Sequence, residues 1–346
     1  MCKLFFLILV LNGFLGKIRD PYVPHFEFLD MLNVYPNLIK YSIQSLFLIA
    51  GILLFFNYKV RLMCFILGIS ILITLLSSKG LFRNHILICG CAFLLASFHK
   101  ESEVPWLLIM QLSVVYYGAA INKLFQEDWW NGVYMHYWMS EILHNKLYLS
   151  TIGTNANLIG AKLISWFSMF LELLIATFLL FKKTRKSAII IVLFFHTLLF
   201  SITLQRFGHF LDSILIYLIA FVPYNSNKVS ILISSKNEAF IKFLKKLLDW
   251  DNRFTLQKAE RNNKFGIKNS LNYFDDQVTM RNFLMNSSGF YFVLFTTDLL
   301  IRILFENPIQ FYFQIILYWG LFIYFVMGQF TSKDKYLKES TYSFQN

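Results

Sequence analysis

The feature that most constrains this chain is a series of apolar runs, each about as long as a helix that crosses a bilayer. A short first run covers 4–15, and longer ones follow at about 38–57, 60–78, 82–98, 105–124, 160–181, 187–204 and 208–223. Because the hydrocarbon core of a bilayer requires ~20 residues of helix, these runs predict an all-α polytopic membrane bundle. Apolar residues make up 57% of the chain, against roughly 45–50% in soluble domains. A soluble globule is therefore excluded.

The number of spans stays open at eight or nine, because the last apolar run, 309–329, could cross the membrane or lie in its plane. Residues 224–290 are polar and basic, and they predict a small cytoplasmic α/β segment. Its expected elements are strands at 229–233 and 254–257, a helix at 237–250, two strands across a turn at 286–289 and a helix near 297–305. We expect four parts: a transmembrane domain at 1–224, a soluble segment at 225–306, a transmembrane or interfacial helix at 307–330 and a polar tail at 331–346.

The net charge of +12 is explained by membrane topology. Many of the cations lie in short loops between apolar runs, and the densest such cluster is at 182–186. Since cytoplasmic loops of membrane proteins are enriched in Lys and Arg, this loop predicts cytoplasmic amino-terminal and carboxy-terminal segments in the cell membrane. The aromatic segment 125–157 then lies at the outer face. Membrane lipid is the expected partner, and nucleic acid is not.

The cysteines do not predict a metal site or a disulfide. Cys89 and Cys91 form a C-x-C pattern on a predicted helix, where residues two apart point to different faces. They are interpreted as small buried apolar residues. His136 and His144 are too far apart across a loop for a zinc site, so no metal is expected.

Ionisable side chains inside predicted spans are costly, so each is a functional candidate. Four stand out: His85, Lys123, Glu172 and His196. Each has a structural alternative. Lys123 could reach the interface, His85 could be a boundary residue, and Glu172 and His196 could be buried hydrogen-bonding groups. Together, an amine, two imidazoles and a carboxylate could form a proton-handling site. The residues alone support a polytopic membrane protein with a buried acid/base cluster.

A longer pattern resembles a known family. The stretch from Gln111 to Lys123-Leu124, followed by Asp128-Trp129 and Asn131-Gly132, is similar to the signature of the HTTM family. That family includes the membrane part of vitamin K-dependent gamma-carboxylase. The resemblance covers about residues 20–224, and three further stretches agree with it in order and spacing: Arg83-Asn84-His85, Leu171-Glu172-Leu173 and Phe195-His196.

The resemblance implies an activity. It makes Lys123 the base that deprotonates a quinol such as vitamin K hydroquinone, whose oxygenation creates a stronger base. It implies a gamma-carboxylase-like lyase, with a quinone or a peptide as substrate. The remaining site residues that it implies are His85, His196 and Glu172 as catalytic groups, and Asn84, Asp128 and Trp129 as substrate-binding groups.

Two departures from the family keep a second function open. The chain has no segment comparable in size to the luminal portion by which the carboxylase recognises its substrate. Residues 228–306 weakly resemble the thioredoxin-like DCC module, but Ser234-Ser235-Lys236-Asn237 stands where its Cys-x-x-Cys is expected, which predicts a degenerate structural unit without thiol exchange. The alternative is a non-enzymatic accessory factor for peptide export, maturation or immunity. A transporter is disfavoured, because no inverted repeat is visible.

Overall fold

The computed structural model describes most of the chain up to residue 218 and shorter pieces after it. The described residues are 1–20, 22–99, 105–153, 156–203, 208–218, 229–233, 238–248, 254–258, 266–268, 273–274, 297–298, 300–301, 304–305, 309–320 and 322–323. Within them, five helices are long and apolar enough to cross a membrane: α3 (Pro36–Phe55), α4 (Val60–Ser77), α6 (Trp106–Leu124), α10 (Ile159–Leu180) and α11 (Arg185–Ile202). The chain is therefore an integral membrane protein built mainly from helices.

Three other predicted spans correspond to shorter helices. They are α1 (Cys2–Leu11), α5 (Asn84–Ser97) and α12 (Gly208–Leu218). Of the predicted span at 208–223, the structure describes the residues up to Leu218. Helix α1 ends where Gly13 takes a left-handed conformation (φ +72°). At ~1.5 Å per residue, ten residues reach only about half of the hydrocarbon core. The total of eight or nine spans stays a prediction.

The chain divides into two compact units. The first comprises Met1–Pro105 and Ile216–Leu300, and the second Trp106–Leu215 and Ile301–Asn346. In the first unit, α4 packs closely on α5 because Gly68 has no side chain. A Cβ atom added to Gly68 would lie 2.8 Å from the backbone nitrogen of Leu94, so a larger residue would force the helices apart.

The predicted loop at 17–37 belongs to the first unit and follows the short helix α2 (Phe14–Lys17). It contains a 3-10 helix, Glu27–Asn33, and runs along the carboxy-terminal end of α4. There the backbone nitrogen of Val23 donates to the carbonyl of Ser77 (3.1 Å), and that of His25 donates to Leu76 (2.8 Å). These bonds hold the loop against the end of a membrane-crossing helix.

A small sheet also belongs to the first unit. Its strands are β1 (Val229–Ile233), β2 (Phe254–Lys258), β3 (Gly266–Lys268) and β4 (Tyr273–Phe274), in the spatial order β2-β1-β3-β4. Strands β1 and β2 are parallel and are joined through helix α13 (Glu238–Leu248), whereas β3 is antiparallel to β1. The predicted turn at 286–289 and the tail from 331 lie outside the described residues. Thioredoxin-like ancestry of the segment stays a prediction.

In the second unit, α10 packs against both α6 and α11, and the aromatic segment 125–157 folds over one end of α10. That segment forms α7 (Glu127–Trp130), α8 (Val133–Tyr137), a π-helical turn (Trp138–Ile142) and α9 (Lys146–Thr151). Its buried side chains form one cluster with α10: Trp129, Met135, Met139, Leu143, Tyr148, Ala161 and Met169. Residues 309–320 form a further helix of this unit. Leu124, the last residue of α6, packs against this cluster.

Candidate functional site

The centre of the site is an ion pair between Lys123 and Glu172. Lys123 lies in the last turn of α6, Glu172 lies midway along α10, and the Lys123 Nζ donates to the Glu172 Oε1. The lysine side chain is 17% exposed and the glutamate side chain 8% exposed. A single charge at this depth would be strongly unfavourable, so pairing is what allows both groups to stay inside apolar helices.

The pairing depends on how α6 and α10 are aligned. In the middle of α6, the Ser113 Oγ donates to the carbonyl of Ala176 (2.7 Å), and the hydroxyls of Tyr117 and Thr177 are hydrogen-bonded at 2.8 Å. Because later residues of α6 face earlier residues of α10, the two helices run antiparallel. These bonds fix the register that brings Lys123 opposite Glu172.

Trp129 completes the surroundings of the lysine. Its ring centroid lies 4.7 Å from the Lys123 Nζ, and the residue is 8% exposed. Trp129 is itself stacked on Tyr134, with ring centroids 4.6 Å apart. A cation over a tryptophan face is stabilised by ~0.5–2 kcal/mol. Of the two neighbours predicted to bind substrate, Trp129 therefore contacts Lys123, whereas the Asp128 side chain is exposed on the same short helix.

One carboxylate oxygen of Glu172 takes no part in the ion pair. The Glu172 Oε2 is buried and has no hydrogen-bond partner among the residues that the structure describes. Buried carboxylate oxygens are nearly always hydrogen-bonded. The free acceptor beside an amine therefore suits a hydroxyl or an N–H group of a molecule that enters the site.

A second polar pair lies on the same face of α6. The hydroxyl of Tyr116 and the Nε2 of His196 on α11 are 2.6 Å apart, and His196 is 4% exposed. The aromatic rings of Phe195 and Phe210 also contact the imidazole, with centroids 5.2 and 5.3 Å away. Tyr116 precedes Lys123 by two helical turns, which is ~10 Å along the axis. Tyr116 and Lys123, each hydrogen-bonded to a side chain of a neighbouring helix, therefore lie on one face of α6.

The Asn131-Gly132 part of the sequence motif has a structural explanation. Gly132 takes a left-handed conformation (φ +79°), and a Cβ added there would lie 2.7 Å from the backbone nitrogen of Lys162 on α10. The Asn131 Oδ1 accepts a hydrogen bond from the nitrogen of Val133 (2.9 Å). This turn sends the chain from α7 back over α10, so that Trp129 is held against Lys123.

Asn84 and His85 begin α5 in the first unit, where Asn84 is exposed and His85 is half-buried. The described residues of the second unit bring together Lys123, Glu172 and Trp129, and separately His196 and Tyr116. Participation of Asn84 and His85 in the same site stays a prediction.

Sequence reasoning missed two buried polar groups of the second unit. Asp212 on α12 is 4% exposed, and its Oδ1 accepts a hydrogen bond of 2.8 Å from the hydroxyl of Tyr318. Asp212 could have been found, because it is an acid inside an apolar run. Tyr116 gave a weaker signal, namely its spacing of seven residues from Lys123, which places both on one helix face.

Comparison with known proteins identifies a family domain that includes helices α6 to α12. The family model described as HTTM domain matches residues 99–221, whereas no curated protein and no solved structure matches the chain. Lys123, Glu172 and His196 lie within the matched residues, and Asn84 and His85 precede them. The predicted resemblance over 20–224 is therefore confirmed over 99–221. Among the residues that the structure describes, no three or more metal-ligating side chains form a cluster.

Proposed function

Since the chain carries an HTTM domain, we propose that it is a membrane-embedded enzyme in which Lys123 is the general base toward a weakly acidic group of a lipid-soluble substrate. The observation that carries this proposal is the shielded Lys123–Glu172 pair beneath Trp129. A quinol is the first substrate to test, and another lipid or a short peptide is the next.

The pair offers a route to a neutral amine. In a site shielded from water, the charged pair is only a little more stable than the neutral pair, because both charges lose their hydration. The ammonium proton of Lys123 can therefore pass to the Glu172 Oε1. The amine nitrogen then takes the proton of the substrate hydroxyl, whose O–H bond breaks as the N–H bond forms. Lys123 is then an ammonium again and Glu172 a neutral acid, and the ion pair is restored when Glu172 gives its proton to the departing product or to water.

This proposal favours a flat substrate that carries a hydroxyl group. The Glu172 Oε2 supplies a hydrogen-bond acceptor, and the stacked Trp129 and Tyr134 supply an aromatic wall. A quinol, once deprotonated, supplies a group that reacts with oxygen. In this proposal Tyr116 and His196 exchange protons along the same face of α6, and Asp128 orients the substrate. The roles that the resemblance implies for Asn84 and His85 stay predictions.

The experiment measures turnover of a quinol. The purified protein in lipid nanodiscs receives vitamin K hydroquinone and oxygen, and liquid chromatography with mass spectrometry follows the loss of the quinol. Lys123→Ala should reduce the rate to that of empty nanodiscs. Lys146→Ala is the matched control, because Lys146 is an exposed lysine of the same unit. Equal rates for the wild type and K123A would exclude the catalytic role.

The non-enzymatic alternative is favoured by one observation. The charge of Lys123 is already balanced by Glu172, as in an ion pair that only joins two helices. An accessory factor for peptide export, maturation or immunity would need the pair for packing alone. It would then keep its function in cells when both residues are replaced together by Met and Leu, whereas the enzyme would lose it.

We also propose the arrangement in the cell membrane. The basic loop after α10 places the amino terminus and residues 225–306 in the cytoplasm and the aromatic segment 125–157 at the outer face. Single cysteines at the exposed positions Lys183 and Tyr137, each introduced into a variant whose native cysteines are replaced by serine, would test this. A reagent that does not cross the membrane should label the second position in intact cells, and the first only after the cells are opened.

A further inference from the structure

Arg19 is a buried cation that has no anionic partner in the part of the chain that the structure describes. It lies in the loop of the first unit between α2 and α3 and is only 5% exposed. Its Nη2 donates to the carbonyl of Leu32 (3.1 Å), and the ring of Tyr22 lies 4.4 Å from its Cζ. Among the described residues, its Nε and Nη1 have no hydrogen-bond partner. A guanidinium has five N–H donors, so most of its bonding capacity is unused.

The nearest acidic side chain in sequence does not supply the missing partner. Asp20 is paired with Lys40 on α3, with the Lys40 Nζ 3.1 Å from the Asp20 Oδ2. A buried charge without a partner is strongly unfavourable. A planar guanidinium with free N–H groups is the side chain that best matches a phosphate or carboxylate oxygen. The unused donors therefore indicate a bound oxyanion.

The position of the loop indicates which oxyanion is close at hand. The loop is hydrogen-bonded to the carboxy-terminal end of the membrane-crossing helix α4. It also exposes the aromatic side chains of Phe26, Phe28 and Tyr35, at 51%, 64% and 66%. Aromatic residues of this kind are enriched at the level of the lipid headgroups, where phosphate is the abundant anion.

We infer that Arg19 is the centre of a binding site for a phosphate oxyanion, supplied by a lipid headgroup or by free phosphate. The guanidinium binds the phosphate oxygens through Nε and Nη1 while Nη2 stays anchored to Leu32. Tyr22, whose hydroxyl donates to the carbonyl of Leu29, covers the guanidinium and must shift to admit the ligand. This site is independent of Lys123 and of the proposed reaction.

The test is the thermal stability of the purified protein in dodecyl maltoside, a detergent without phosphate. Three additions are compared at equal ionic strength: inorganic phosphate, dihexanoyl phosphatidylglycerol and, as the amphiphile without phosphate, octyl glucoside. Ligands that bind only the folded state raise the Tm. We expect a rise of about 3 °C or more with at least one phosphate carrier. If the site binds free phosphate, the Tm should rise with both inorganic phosphate and the lipid. If it binds a lipid headgroup, the Tm should rise with the lipid alone.

Two variants distinguish a specific site at Arg19 from nonspecific attraction of anions to the positive charge of the protein. Arg19→Gln should abolish the rise, whereas Lys17→Gln, which removes one exposed charge two residues away, should preserve it. If R19Q does not fold, Arg19→Lys replaces it and should show less than half of the wild-type rise. No rise in the wild type, an equal rise in the Arg19 variant, or equal losses in R19Q and K17Q would overturn the inference.

Discussion

Removing one partner of the Lys123–Glu172 pair should destabilise the protein strongly, and removing both should not. Glu172→Gln leaves the ammonium of Lys123 inside the bundle without its carboxylate. Loss of one partner of a fully buried pair costs ~3–5 kcal/mol. Because Lys123 keeps 17% side-chain exposure and its contact with Trp129, we expect a lower cost, about 2–3 kcal/mol. Lys123→Met, which strands the carboxylate instead, should cost a similar amount.

The double variant K123M/E172L removes both charges and fills the space with apolar groups. Such replacements are often close to neutral. The double variant should therefore stay within ~1 kcal/mol of the wild type, which is at least about 3 kcal/mol less than the sum of the two single costs.

The assay is equilibrium unfolding in mixed micelles, with dodecyl sulfate as the denaturant and tryptophan fluorescence as the signal. Glu141→Gln and Lys146→Met are matched controls, because both side chains are exposed; neither should change stability measurably. A K123M/E172Q variant completes the comparison with the two single variants. If its cost equals the sum of the costs of K123M and E172Q to within ~0.5 kcal/mol, the two groups do not interact and the reasoning is refuted.

Two further substitutions follow from the geometry, and the same unfolding assay measures both. Gly132→Ala should cost about 2–3 kcal/mol, since the new Cβ meets the nitrogen of Lys162 and the left-handed backbone disfavours alanine; an unchanged unfolding curve would mean that α7 does not need this close approach. Tyr116→Phe should cost about 1–3 kcal/mol, because it leaves a buried nitrogen of His196 without its partner; a cost below ~0.5 kcal/mol would show that water replaces the phenol easily.

The long spans could be predicted well because hydropathy is a property of local composition. The predicted run 105–124 corresponds to Trp106–Leu124, and 160–181 corresponds to Ile159–Leu180. The first run, 4–15, was predicted less well. Its apolar residues continue past Leu11, but Gly13 turns the backbone and ends α1. Composition alone does not register that change of direction.

The candidate site was predicted in part. Lys123 and Glu172 were found because ionisable residues in apolar runs are conspicuous, and Trp129 was found because it belongs to a motif. Their contact depends on the antiparallel register of α6 and α10, which hydroxyl groups such as that of Ser113 fix. Tyr116 was missed because a tyrosine in an aromatic-rich helix is unremarkable until its partner on α11 is known.

Ionisation of a bound quinol by Lys123 is the step on which the proposed function depends. Wild type, K123A and K146A in nanodiscs are mixed with vitamin K hydroquinone without oxygen, and the absorption band of the ionised quinol is recorded against pH. We expect the band to appear at lower pH with the wild type and K146A than in empty nanodiscs, and K123A to match the empty nanodiscs. The same band in K123A as in the wild type would contradict Lys123 as the base.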